Sequence, residues 1–170
     1  KKKNTDFVKG IISEIEFNKE NSCLNTNIIQ PYNWFLFDKY RLKVIDYSCF
    51  LINKLLFLED KSSEILNTYQ DLLISMNNNS NYLVDLMKLE LEILKSSGYQ
   101  PNLSDSVIKK ILGDGFLINA NFYDELSILL KNDQDSQEAF SNFMEKVIVK
   151  VLNNLNINLP FNRSEIIQKN

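Results

Sequence analysis

The stretch that decides the fold reads LELEILKSSGYQPNL and spans residues 89–103. On a helical wheel at roughly 100° per residue, the apolar side chains around its start fill one broad arc. They are Leu83, Leu86, Met87, Leu89, Leu91, Ile93 and Leu94. Gly98 supplies a helix stop, and Pro101 follows it, as is common at helix ends. Residues 81–97 are therefore predicted to form a helix with one buried face, and Glu90 is unusual because it falls near the middle of that face.

Apolar periodicity predicts four more helices, all after residue 46. They cover residues 47–59, a segment from Ser62 or Ser63 to Met76, residues 121–131 approximately, and a long segment that opens at Asp135. Asp135 and Glu138 resemble a capping box. The apolar stripe of the last helix is Phe140, Phe143, Met144, Val147, Val151 and Leu155. The fold class is therefore mainly α, with 81–97 as the central helix of about five.

Residues 1–46 are predicted to be β, which makes the chain α+β overall. FVKGIISEIEF at 7–17 and YRLKVI at 40–45 alternate polar and apolar residues, and WFLF at 34–37 is an aromatic strand. Two or three strands are too few for an independent sheet. Either earlier strands are missing from this chain or the strands pack on the helices. We therefore expect two parts, a partial β segment at 1–46 and a helical part at 47–170.

The composition is that of an ordinary globular chain. Of the 170 residues, 44% are hydrophobic and 24% are charged, and no stretch is long and apolar enough for a membrane span. No signal peptide is evident, and the absence of an initial Met suggests a fragment or a processed product. Cys23 and Cys49 are isolated and fit a reducing compartment. One domain, or one domain with a small appendage, is expected.

Histidine is absent, and this argues against several chemistries. No Ser-His or Cys-His nucleophile pair, histidine base or histidine metal ligand can form. The acidic pairs Glu14/Glu16, Glu90/Glu92 and Asp124/Glu125 fit surface charge better than catalysis. Gly113 and Gly115 in LGDGF match a phosphate loop only in part. We therefore expect no enzyme, no cofactor and no structural metal.

Charge is divided between the two parts of the chain. Residues 1–46 hold eight Lys or Arg against six Asp or Glu, a net charge of +2, while residues 47–170 carry a net charge of −5. Because phosphate contacts need basic side chains, any nucleic-acid contact is expected on residues 1–46.

Several segments resemble the RecO family of bacterial recombination mediators, and its alphaproteobacterial members most closely. The family's central helix reads roughly (F/W)ELxLLxxLGxxxxL, and here LeuGluLeu 89–91, IleLeu 93–94, Gly98-Tyr99 and Leu103 follow that order. VKG at 8–10, WFLF and YRLKVID at 40–46 are similar to later strands of its N-terminal OB barrel. Residues 47–76 resemble its first helical pair, and residues 143–167, with Arg163, resemble its last helix and tail.

The resemblance implies a non-enzymatic DNA-binding protein of recombinational repair in the bacterial cytoplasm, at the nucleoid. Its partners would be RecR and the tail of single-strand-binding protein, with RecA loading as the outcome. The side chains implied in phosphate contact are Lys1, Lys2, Lys3, Lys9, Lys39, Arg41 and Lys43. The alternative is that these are solvated lysines at a strand edge, where they also oppose aggregation.

The sequence departs from the family in two places. Ser104-Asp105-Ser106 stands where members with a zinc-binding insert have a cysteine, so no zinc is expected. On this resemblance we also expect the barrel to be without its first strands, and single-strand binding by an OB fold uses the whole groove. The alternative function is therefore a RecO-derived structural subunit of a large nucleoprotein assembly, such as a mitochondrial ribosome in the mitochondrial matrix.

Glu90 needs a partner if its carboxylate is buried, since an isolated buried charge is very costly. The chain has two arginines, Arg41 and Arg163, and Arg163 lies in the segment that resembles the family's closing tail. We therefore expect Glu90 to reach Arg163 or nearby backbone N–H groups and to pin the tail onto the central helix. The alternative is a narrower buried face, with Glu90 in solvent.

Overall fold

The protein is described from a computed structural model. The described residues are 12–18, 23–30, 38–56, 63–78, 81–103, 128, 130, 132–160 and 163–166. Over these ranges the chain is mainly α-helical. The elements are β1 (Ile12–Phe17), β2 (Cys23–Gln30), α1 (Lys39–Leu55), α2 (Ser63–Asn77), α3 (Tyr82–Ser96), α4 (Gln134–Asn154) and a short 3-10 helix (Arg163–Glu165). None of the helices in these ranges has both the length and the apolar character of a membrane span.

Helix α3 is the centre of the helical part, as its apolar arc predicts. It contacts α1, α2 and α4. Asn81 caps its first turn, since the Asn81 Oδ1 accepts a hydrogen bond from the Leu83 N–H at 3.3 Å. Gly98 ends it in the left-handed conformation, at φ 78°. There the N–H groups of Gly98 and Tyr99 bond to the carbonyls of Lys95 and Leu94, at 3.1 and 2.8 Å, which is a Schellman motif.

Helix α1 overturns one strand prediction. YRLKVI at 40–45 is not a strand, because α1 begins at Lys39 and includes it. The Asp38 carboxylate caps the helix by accepting hydrogen bonds from the N–H groups of Tyr40 and Arg41, at 2.9 and 3.2 Å. The buried side chains of α1 follow the helical period, and they are Val44, Ile45, Tyr47, Ser48, Leu51 and Leu55. A boundary between residues 46 and 47 therefore falls inside a helix.

The two strands form an antiparallel pair, β1–β2. β1 lies within the predicted segment 7–17, and Ile12 is buried in the same core as the helices. β2 was not predicted, because CLNTNIIQ has no clean alternation of apolar and polar residues. The position of β2 is set by its backbone pairing with β1. The register of this pairing shifts at both ends of β1, between Ile12 and Ser13 and between Glu16 and Phe17. The predicted strand WFLF at 34–37 lies outside the described residues.

The helix boundaries after α1 agree closely with the sequence periodicity. α2 begins at Ser63 and α4 is the predicted long helix. The cap of α4 is Asp133 and not Asp135, since the Asp133 carboxylate accepts a hydrogen bond from the Asp135 N–H at 3.2 Å. Most of the helix predicted near 121–131 lies outside the described residues.

The buried stripe of α4 differs from the predicted one at its end. Phe140, Met144 and Val151 are buried and Phe143 and Val147 are partly buried, but Leu155 lies beyond the last helical residue and is 36% exposed. Ile148 and Leu152 take the remaining core positions. The apolar stripe follows the helical period, which brings these two side chains to the core face.

Candidate functional site

The candidate site is a buried polar cluster formed by Glu90, Arg163, Tyr47 and Ser141. Glu90 lies in the middle of α3, and its residue exposure is 1%, the same as that of Arg163. The Arg163 Nε donates to the Glu90 Oε1 at 2.7 Å, and its Nη2 donates to Oε2 at 2.8 Å. The structure thus brings together the two residues that the sequence analysis expected to meet, in a two-pronged carboxylate–guanidinium pair.

Two other elements complete the hydrogen bonding of this pair. The Tyr47 hydroxyl of α1 donates to the Glu90 Oε1 at 2.7 Å. The Arg163 Nη1 donates to the Ser141 carbonyl at 3.0 Å and to the Ser141 Oγ at 2.7 Å, both on α4. One cluster therefore links α1, α3, α4 and the C-terminal 3-10 helix, and its charges are paired inside the core.

Burial and mutual charge determine the ionisation of the cluster. Burial, then the neighbouring Glu90 charge, raises the pKa of Tyr47 well above its ordinary value. Burial opposes the charged form of Arg163, but the Glu90 carboxylate outweighs it and raises the pKa of the guanidinium. Tyr47 therefore stays a neutral donor and Arg163 stays a cation, which is the arrangement that the hydrogen bonds require.

Neither Tyr47 nor Ser141 was singled out from the sequence. Tyr47 opens the predicted helix 47–59, and a buried tyrosine hydroxyl needs a hydrogen-bond partner. That need could have indicated that Tyr47 belongs to a buried hydrogen-bonded cluster. Ser141 carries no such signal, because a serine beside the buried Phe140 can satisfy its own hydroxyl on the helix backbone.

A second polar contact joins α2 to α3. Asp85 of α3 is 5% exposed, and its carboxylate accepts a hydrogen bond from the Ser75 hydroxyl of α2. The Lys88 Nζ lies 4.0 Å from the other carboxylate oxygen. This buried carboxylate therefore has a partner at each oxygen, and one of them lies on α2.

Three of the residues expected to contact phosphate lie in α1. On a strand Lys39, Arg41 and Lys43 would share one side, whereas on α1 Lys39 and Lys43 are about one turn apart on the same face and Arg41 lies on the opposite side. The Lys39 Nζ lies 5.3 Å from the centre of the Tyr40 ring. The Arg41 Nε pairs with the Asp38 Oδ2 at 3.2 Å, and the Lys43 Nζ pairs with the Glu165 Oε2 at 3.3 Å. Lys1, Lys2, Lys3 and Lys9 lie outside the described residues.

Metal ligands are not clustered in the part of the chain that the structure describes, where no three His, Cys, Asp or Glu side chains converge. The Cys49 Sγ lies 3.9 Å from the Tyr69 hydroxyl. Gly113 and Gly115 lie outside the described ranges. No protein-family model, curated protein or solved structure matches this chain.

Proposed function

We propose that the protein is a non-enzymatic, RecO-like mediator that binds DNA and partner proteins in recombinational repair. The observation that carries the proposal is the buried Glu90–Arg163 pair. The segment around Glu90 and the tail around Arg163 are two of the stretches that resemble the family, and here they meet across 73 residues of sequence. RecR and the tail of single-strand-binding protein are the proposed partners, and the bacterial cytoplasm is the proposed location.

The proposed architecture is a five-helix body with a partial OB-like segment. The β1–β2 pair would belong to that segment, and a helix near 121–131 would complete the body. Helix α1 supplies no barrel strand, because residues 39–55 are helical. Any OB-like groove must therefore be built from residues before Asp38.

A second candidate function is a structural subunit of a large nucleoprotein assembly, with the mitochondrial matrix as its location. Two ion pairs favour it: Arg41 with Asp38 and Lys43 with Glu165. A carboxylate beside each cation competes with phosphate, which weakens nucleic-acid binding. In this function, protein contacts would hold the chain in its assembly and the acidic helical part would face away from phosphate.

A salt titration of single-stranded DNA binding by the full chain distinguishes the two functions. A mediator should bind at low salt, with affinity falling by roughly one decade per decade of salt for each phosphate contact. The triple variant Lys39→Glu, Arg41→Glu, Lys43→Glu should abolish that binding. Its control is Lys54→Glu, Lys146→Glu, Lys150→Glu, which changes net charge equally at three exposed lysines.

The outcomes distinguish the mediator from the structural subunit if circular dichroism shows that both variants keep their helices. Loss of binding in the first variant alone supports the mediator. Equal loss in both variants indicates that net charge alone drives binding. No binding by the unmodified chain at low salt contradicts the mediator and leaves the structural subunit.

A further inference from the structure

In the part of the chain that the structure describes, the polar groups around Arg163 come from three helices. The Tyr47 hydroxyl lies on α1, the Glu90 carboxylate on α3, and the Ser141 carbonyl and hydroxyl on α4. Glu90 is flanked in sequence by Leu89 and Leu91, which are both buried in the hydrophobic core. Core packing of the helices therefore helps to position these groups. We call the site that they form the guanidinium socket.

The tail enters the socket through side chains. Arg163 fills the socket, Ile166 is fully buried in the core three residues later, and Glu165 makes an exposed ion pair with Lys43. The described backbone hydrogen bond of this segment, from the Ile166 N–H to the Arg163 carbonyl at 3.0 Å, is local. The buried side chains described in this segment are therefore one arginine and one aliphatic residue, spaced three apart.

The chemistry of the socket selects a guanidinium. Two parallel N–H groups meet the two Glu90 oxygens, and a third nitrogen reaches the Ser141 oxygens. A lysine ammonium presents a compact charge and cannot make this planar, two-pronged contact. When the socket is empty, the Glu90 carboxylate stays buried without a cation, which disfavours the empty state.

We propose that the guanidinium socket is a recognition site for an Arg-Xaa-Xaa-Ile segment, which the chain's own tail fills in cis and a partner protein's segment fills by displacing it. The proposal does not depend on the function proposed above. The tail then acts as a competitor, since a tethered ligand has a high effective concentration and masks the socket from free segments. Only a partner that outcompetes the tail gains access, and charge complementarity to Glu90 requires that it carry an arginine.

The first test uses the full chain with Arg163→Ala, which empties the socket but keeps Ile166. Methylguanidinium, well below denaturing concentrations, should raise its thermal unfolding midpoint in a saturable way, and methylammonium at equal concentration should not. The control Glu90→Gln, Arg163→Ala lacks the carboxylate and should show no such rise. If Arg163→Ala is unfolded, methylguanidinium should restore its helical circular dichroism. Identical responses to the two salts, or an unfolded chain that stays unfolded, overturn the preformed socket.

The second test uses a fluorescent peptide of residues 158–170. Its binding to the Arg163→Ala chain, followed by anisotropy, should saturate. The same peptide with Arg163→Ala should bind on the order of a hundredfold more weakly, as truncation of one partner of a buried charge pair predicts. The unmodified chain should bind the first peptide more weakly than the variant does, since its tail competes. Equal binding of both peptides, or no binding of either, overturns the proposal.

Discussion

Glu90 and Arg163 lie 73 residues apart in sequence, and two hydrogen bonds of 2.7 and 2.8 Å join their charged groups inside the core. An intact buried ion pair adds little to the free energy of unfolding, but removing one of its two partners lowers that free energy strongly. Both charges have already lost their water, so removing one partner leaves the other buried and alone. The C-terminal segment is thereby tied to the central helix.

Glu90→Ala should lower the free energy of unfolding by on the order of 3 kcal/mol, because it strands the buried Arg163 cation. The control is Glu92→Ala on the same helix. Glu92 pairs with Lys95 at the surface, at 3.2 Å, and its loss should cost less than about 1 kcal/mol. Urea denaturation of both variants measures the difference. An unchanged midpoint for Glu90→Ala would show that the pair contributes nothing to stability.

Stability should fall as the pH rises above about 10. Burial raises the pKa values of Tyr47 and Tyr69 in the folded chain, whereas an unfolded tyrosine ionises near 10. The folded state thus holds its phenolic protons more tightly, and their contribution is complete below pH 10 and lost above it. Unfolding at a series of pH values tests this. Tyr47→Phe should make the decline shallower, and an equally steep decline in that variant would contradict the assignment.

Gly98→Ala should destabilise the chain by about 1 kcal/mol through the backbone alone. Gly98 is at φ 78°, and a Cβ added there meets no atom within 4 Å, so the cost is conformational and not steric crowding. Gly98→Asn is the matched control and should cost less, because asparagine tolerates this conformation, as Asn156 does at φ 56°. Thermal unfolding of the two variants gives the comparison. Equal losses would point to a cause other than the left-handed backbone.

Asp38→Ala should lower the free energy of unfolding by about 1 kcal/mol, because it removes the side-chain acceptor for two N–H groups at the start of α1. Asp38→Asn keeps an acceptor oxygen and should restore most of that loss. Chemical denaturation measures the stabilities, and backbone amide exchange at residues 40–45 reports the first turns of α1. Faster exchange in Asp38→Ala alone is expected. Unaltered exchange and stability would show that the cap is not needed.

Three helices could be predicted from the sequence because their signals are local. α2, α3 and α4 each have a sustained 3.6-residue apolar pattern, and Gly98 marks the end of α3. Over only six residues, however, the alternation in YRLKVI fits a strand as well as a helix. The helix is favoured by the Asp38 cap and by the burial of Val44, Ile45 and Tyr47. That burial depends on packing against α3. β2 has no pattern of its own, since pairing with β1 defines it.

The sequence by itself determined that Glu90 needs a partner. A charge at the centre of an apolar helix face is unstable alone, and one of only two arginines lies in the tail. Only the tertiary structure decided how that need is met. It brings Tyr47 of α1 and Ser141 of α4 to the same point, and no local pattern relates residues so far apart. It also turns Arg41 away from Lys39 and Lys43, because the relative directions of these residues change when the backbone is a helix and not a strand.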